Sequence, residues 1–194
     1  TFGVMSRDAY GDTTPTSFVV SVNADSPVFT APLAPVNLIT NGDCSGGTFA
    51  HTESWGHWAT EDVGWKISGT SDNQSGVQLE QIASGYGGVS SSASHMVDLE
   101  ATPGDVQIFQ TISGLAAGQH YTLTFDIGAS NPSAAALEVY WNGNLVGSYN
   151  PTSSMVQKSI DLPAIPGDNT VSFKEVGSPN DNPGTSLTTV SLVQ

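Results

Sequence analysis

Tyr140-Trp141-Asn142-Gly143-Asn144-Leu145 decides the fold. Alternating apolar residues run into Asn-Gly and out again. This is the strongest short-range signal for a β-hairpin, because both central residues must take positive φ, which Asn and Gly tolerate best. Working outward, strand-like runs recur at 17–22, 36–40, 76–82, 94–100, 106–112, 120–127, 136–141, 144–149, 156–162, 169–176 and 186–193, each bounded by Gly, Pro, Asn or Asp. Within 120–127 the period of two puts Tyr121, Leu123 and Phe125 on one face, the expected core face. Short strands at regular spacing without helical periodicity predict an all-β chain, an antiparallel β-sandwich of jelly-roll-like form.

The 194 residues carry four Lys plus Arg against 18 Asp plus Glu, a formal charge of −14. That balance excludes nucleic acid and anionic membrane as partners, since phosphate binding needs clustered cations. It invites calcium instead. Only 11% of residues are charged and 38% are hydrophobic, so the acid is spread through a folded chain. One cysteine, Cys44, permits no intrachain disulfide. No apolar run approaches membrane-spanning length, so membrane insertion is not expected. The opening at Thr1 reads as a segment of a longer polypeptide whose export is encoded elsewhere.

His95-Met-Val-Asp-Leu-Glu100 carries the clearest chemical signal. In a strand Asp98 and Glu100 point the same way, roughly 7 Å apart at a rise of about 3.3 Å per residue. Two carboxylates so close repel unless neutralised, and a chain this poor in Lys and Arg points to a divalent cation. The competing reading is a solvated pair on an exposed sheet face.

Residues 1–31 differ from the remainder. Asp8-Ala-Tyr-Gly-Asp12 followed by 16–22 reads as the last hairpin of an immunoglobulin-like repeat, and 23–35, with three prolines, as a linker. The boundary is placed near Pro32, giving a sandwich domain over 32–194.

Several motifs then occur in order: Asn37-Leu-Ile-Thr-Asn-Gly-Asp43, Gly64-Trp65, Gly76-Val-Gln-Leu-Glu80, Val97-Asp-Leu-Glu-Ala101, Ile108-Phe-Gln-Thr-Ile112, Gly118-Gln-His-Tyr-Thr-Leu-Thr-Phe-Asp126, Leu137-Glu-Val-Tyr-Trp-Asn-Gly143 and Phe173-Lys-Glu-Val-Gly177. Together they resemble the jelly-roll ligand-binding modules of calcium-dependent RTX adhesins of Gram-negative bacteria. The resemblance implies a calcium-bound recognition domain on a type I secreted adhesin at the bacterial cell surface, a monomeric module within a longer chain. It implies contact with host or algal cell-surface glycans or with exposed peptide termini. It also implies interdomain calcium at Asp8 and Asp12, with Asp25 in the linker. Two positions depart from it. Related modules carry Phe-Glu where this chain has Cys44-Ser45, and an Asp where it has Thr188, so a cation between the first and last strands is expected to be absent or held by backbone oxygens.

Calcium takes six to eight oxygens from carboxylates, amides, backbone and water. The candidate metal set is Glu80, Asp98, Glu100, Glu175 and Asp181, with Asn180 and Asn182 as amide donors of oxygen. For the 178–184 loop an ordinary Asx turn competes with metal binding, and for Asp72-Asn73 and Asp168-Asn169 the turn reading is preferred. Trp55, Trp58 and Trp65 fall close together in a stretch, 42–75, read as a long irregular loop. Trp65 is assigned to the core, Trp55 and Trp58 to an exposed ligand site, since aromatic faces anchor binding sites. Tyr86, in Gly85-Tyr-Gly-Gly88, is placed to close over ligand, together with Asp98 and Asn182.

The four histidines show no zinc-like spacing, and neither a phosphate loop nor a nucleophile elbow is present, so catalysis is not expected. Four functions compete. The first is a calcium-dependent lectin in which the ion takes vicinal diols of a fucose-type sugar. The second is capture of peptide C-termini on the same ion, and the third a non-binding spacer domain. The last is a glycoside hydrolase using Asp98 with Glu80.

Overall fold

The computed structural model describes residues 35–46, 55–58, 64–69, 79–100, 104–177 and 184–194, with the backbone alone at 55–58 and at Gly69. All lie in one compact unit, Pro35–Gln194. The immunoglobulin-like segment and linker assigned to 1–31, with Asp8, Asp12 and Asp25, fall outside the described residues.

Among the described residues there are eleven strands: β1 (Trp55–Trp58), β2 (Lys66–Gly69), β3 (Leu79–Ala83), β4 (His95–Asp98), β5 (Val106–Ile112), β6 (His120–Ala129), β7 (Leu137–Trp141), β8 (Asn144–Tyr149), β9 (Val156–Pro163), β10 (Asn169–Glu175) and β11 (Thr185–Val193). They form a six-stranded sheet, β1-β3-β4-β11-β6-β9, and a five-stranded sheet, β2-β5-β10-β7-β8. Every pairing is antiparallel. This is the jelly-roll-like β-sandwich that the spacing predicts.

The Asn-Gly hairpin joins β7 to β8, with Asn142 at φ 52° and Gly143 at φ 79°. Between the sheets, alternate residues interdigitate: Leu79, Val97, Leu187, Leu123 and Ile127 from one side, Ile108, Val139, Val171 and Phe173 from the other. Tyr121, Leu123 and Phe125 are all buried there, as their alternation requires. A run of edge-to-face rings crosses the centre: Trp65 meets Phe173 at 6.0 Å, Phe173 meets Phe125 at 5.1 Å, and Phe125 meets Tyr149 at 5.6 Å. Each such pair contributes about 0.5–1.5 kcal/mol beyond the burial of its area. Trp65 is core, as assigned, and its indole N–H donates to the Asn41 carbonyl.

Two strand assignments change. Residues 36–40 do not form a strand: Asn37 takes over the pairing with its side chain, its amide donating to the Val190 carbonyl while its Oδ1 accepts from Ile39 and Leu192 N–H. Conversely, 42–75 is not one irregular stretch, because β1 and β2 lie within it.

Candidate functional site

Antiparallel pairing brings most of the predicted acids to one end of the sandwich. Glu80 stands at the start of β3, Asp98 at the end of β4, Glu175 at the end of β10, and β11 begins at Thr185 beside them. Glu100 follows β4 and bridges to Asp105, which precedes β5. Glu80, Asp98, Glu100 and Glu175 are all buried.

Glu80 and Asp98 are direct cross-strand partners, and Asp98 in turn faces Ser186 of β11. Side chains at directly opposed antiparallel positions sit about 4.5–5.5 Å apart at Cβ, and like charges there repel. Asp98 is 1% exposed. Its Oδ1 accepts the N–H of Glu100 at 3.0 Å and of Gly184 at 3.1 Å. Both donors fall on the same oxygen, so Oδ2 takes neither. Burial pushes the Asp98 carboxyl well above the usual carboxylate range, and the neighbouring Glu80 and Glu100 charges push the same way, outweighing the two N–H bonds. Burial also raises Glu80. Among the described residues, no lysine or arginine pairs with either carboxylate.

Gly184 is required here by close approach. A Cβ at that position would lie 2.6 Å from the Glu100 Cβ and 3.3 Å from Asp98 Oδ1.

Glu175 behaves differently. Its Oε1 accepts from Ala136 N–H at 2.7 Å and Gly177 N–H at 3.1 Å, and its Oε2 from Thr185 N–H at 2.8 Å. Three backbone donors satisfy this carboxylate and tie the five-stranded sheet to the start of β11 in the other sheet. Adjacent N–H groups, at 184 and 185, are thus held by acids from opposite sheets. The Thr185 hydroxyl beside them is buried and, among the described residues, without a hydrogen-bond partner.

Asp98 and Glu100 do not form the strand-face pair that their spacing suggests. The strand ends at Asp98, and Glu100 turns its N–H back onto the Asp98 carboxylate. The carboxylate opposite Asp98 is Glu80, from another strand. Asp105, Gly184, Thr185 and Ser186 belong to this end and are not singled out by the sequence. Of the expected loop ligands, Asn180, Asp181 and Asn182 all lie outside the described residues.

Trp55 and Trp58 bound β1, an edge strand paired with β3 in which His57 faces Glu80, so they belong to a strand and not to a loop. Tyr86 sits in a short 3₁₀ turn, Tyr86–Gly88, and is 37% exposed. That turn lies close to the end of β6, since a Cβ at Gly87 would meet the Ser130 hydroxyl at 2.8 Å.

The two departures from the adhesin pattern meet in space. Thr188 Oγ1 donates to the His95 carbonyl at 2.8 Å and lies 3.4 Å from the Asp43 carbonyl, while the Cys44 thiol lies 3.6 Å from the Leu187 carbonyl. Burial pushes the Cys44 thiol up to about 12, so it stays protonated and serves as a weak donor.

The acid end suits a hard, oxygen-seeking cation by donor chemistry. It offers buried carboxylates, raised in proton affinity, that lack a protein counter-charge at Glu80 and Asp98. Among the described residues, no three His, Cys, Asp or Glu side chains already converge as a complete metal-holding group.

No protein-family model matches the chain, and no curated protein sequence is similar to it. Solved structures share its fold. The K1 cleaved adhesin domain of Lys-gingipain from Porphyromonas gingivalis W83 superposes with TM-score 0.51 at 17% identity, over 72% of this chain and 98% of that one. TmCBM61, solved with β-1,4-galactotriose, gives TM-score 0.49 at 16% identity over 82% of this chain and 99% of that one. A family 35 carbohydrate binding module from Clostridium thermocellum gives 0.44 at 15% identity over 72% and 98%.

Proposed function

We propose that this chain is the calcium-dependent recognition domain of a bacterial surface adhesin and that it binds cell-surface glycans, without catalysing a reaction. The observation that carries this reading is the buried Glu80–Asp98 pair, opposed across β3 and β4 and without a lysine or arginine partner among the described residues. Such a pair is stable as carboxylates only with a cation supplied from outside. Glu80 and Asp98 would hold the ion, with Glu100 beside them. Calcium bound there supplies coordination positions that a sugar's vicinal hydroxyl oxygens can complete.

The protein's own residues do the rest. Asp98 Oδ1 and Glu175 grip the N–H groups of Gly184 and Thr185, fixing the start of β11 against both sheets. Tyr86 presents an aromatic ring on a turn close to the end of β6, on which a sugar's C–H face can stack. A fold shared with the adhesin domain of Lys-gingipain supports the adhesive role.

The test is calcium titration of the whole chain by calorimetry, followed by a glycan array with and without chelator. Calcium binding lost in Asp98→Asn, together with glycan binding lost in chelator, is the expected result. No calcium binding at millimolar concentration, or glycan binding untouched by both chelator and Asp98→Asn, would falsify the reading.

A further inference from the structure

We propose that the sugar held by calcium is the end of a longer glycan, and that a cleft at the acidic end of the five-stranded sheet takes the next ring, an uncharged one. This rests on the calcium-dependent reading above and carries it from one sugar ring to two. The cleft has a volume of about 440 Å³, within the range that encloses a small ligand, and is lined by Ser68, Asp105, Gln107, Lys174, Glu175 and Val176 among others. Register builds it. Gln107 of β5 stands opposite Ser68 of β2 on one side and opposite Lys174 of β10 on the other, so three polar side chains form one row across the sheet. Asp105 precedes β5 and Val176 follows β10, so the cleft runs off the sheet where Glu175 stands.

Glu175 joins this cleft to the calcium site. Its Oε2 accepts from Thr185 N–H at 2.8 Å, while Asp98 Oδ1 accepts from the neighbouring Gly184 N–H at 3.1 Å. Consecutive Cα atoms lie about 3.8 Å apart, so the two carboxylates stand within roughly 10 Å of each other. Two linked pyranose rings cover that distance.

The lining selects a neutral ring. Asp105 and Glu175 bring carboxylates to the cleft and Lys174 brings an ammonium. On its other side Lys174 faces Glu138, so the lysine charge is already opposed by an acid. A uronate would meet the like charge of Asp105, and an amino sugar that of Lys174. A hydroxyl both donates and accepts, and every polar group of the row can use it. The Ser68 hydroxyl and the Gln107 amide do both, the Asp105 carboxylate accepts, and the Lys174 ammonium donates. Val176 adds an apolar wall for the C–H surface of the ring. Ser68 and Lys174 are exposed, and Asp105, Gln107 and Val176 half-buried, so the row is open to a ligand arriving from solvent.

The experiment is calorimetry on the 194-residue chain in calcium, with methyl fucoside, the neutral disaccharide fucosylgalactose, and the analogue whose second ring is galacturonate. The neutral disaccharide should bind about tenfold tighter than the fucoside, and the galacturonate analogue should show no such gain. Gln107→Ala and Lys174→Met should each lower the ratio of disaccharide to fucoside affinity by about threefold or more. Thermal melts confirm that both variants fold. Equal affinity for fucoside and disaccharide, an equal gain with galacturonate, or a ratio unmoved in both variants overturns the proposal. The two readings fail in different ways. Absence of calcium-dependent binding of either sugar overturns both, whereas fucoside binding that is lost in chelator but gains nothing from the second ring overturns the cleft alone.

Discussion

The two ends of the sandwich bury polar groups by opposite means. At one end Asn169, fully buried, closes a neutral network. Its Oδ1 accepts from Ile165 N–H and from the Asn142 amide, and its own amide donates to the Ile165 and Gly167 carbonyls. Asn142 completes the knot by accepting from Thr170 N–H. At the other end the buried groups are carboxylates, Glu80, Asp98, Glu100 and Glu175. An amide carries both donor and acceptor and can satisfy itself within the protein. A carboxylate only accepts, and two opposed carboxylates need a proton or a cation. The neutral network therefore closes on the chain's own groups, whereas the opposed acids are balanced only by a proton or by a cation.

That contrast can be broken most severely at Asn169. Asn169→Ala removes a buried side chain and four part-buried hydrogen bonds, to two carbonyls and two N–H groups, and denaturant unfolding should show a loss of about 3–4 kcal/mol, identical in calcium and in chelator. The next effect is expected at Glu175. Glu175→Gln keeps the shape but turns an amide NH₂ toward one of three backbone N–H donors, so about 1–3 kcal/mol should be lost, again with or without calcium. A loss at Glu175 confined to one of the two conditions would join this residue to the metal set and blur the comparison.

Asp98→Asn should do the reverse of both. In chelator it relieves the repulsion with Glu80 and raises stability by about 1 kcal/mol, while the stabilisation gained on adding calcium shrinks. Destabilisation in chelator would show that the pair is already balanced by the fold. The pH dependence sharpens the same point. Asp98 has a raised carboxyl in the folded state, so the folded chain binds its proton more tightly than the unfolded chain. Its contribution is fully present below the unfolded carboxylate range and is lost as pH rises through the raised folded value. Melting temperature in chelator should fall across that window, and calcium should flatten the slope. The smallest effect is expected at His120–Asp161, a surface contact with side chains 61% and 66% exposed. His120→Ala should leave the denaturant midpoint unmoved, as loss of a surface pair generally does.

Legibility of the chain follows the range of the interactions. The hairpin, β5 and β8 are readable to the residue because alternation and the Asn-Gly turn are local. β1 and β2 are not, since four-residue strands carrying Gly56, His57 and Lys66 give too few repeats to show a period of two. Residues 36–40 have a strand's composition, yet the Asn37 side chain supplies bonds that a strand would make with its backbone. At the acidic end, composition and motif single out Glu80, Asp98, Glu100 and Glu175. Which acid opposes which is a matter of register, so the Glu80–Asp98 pairing is invisible in the sequence, and so is the part played by Gly184 and Thr185.

The Asn37 clasp has a mechanical consequence. Leu38 N–H donates to the Leu192 carbonyl, so the segment leading out of Pro35 is laced to the final residues of β11, while the same strand begins at Thr185 among the acids. A pull between Pro35 and anything held by Asp98 would travel the full length of β11. The load would be shared with β4 and β6, which pair with that strand on either side, and would not peel one hairpin from the fold.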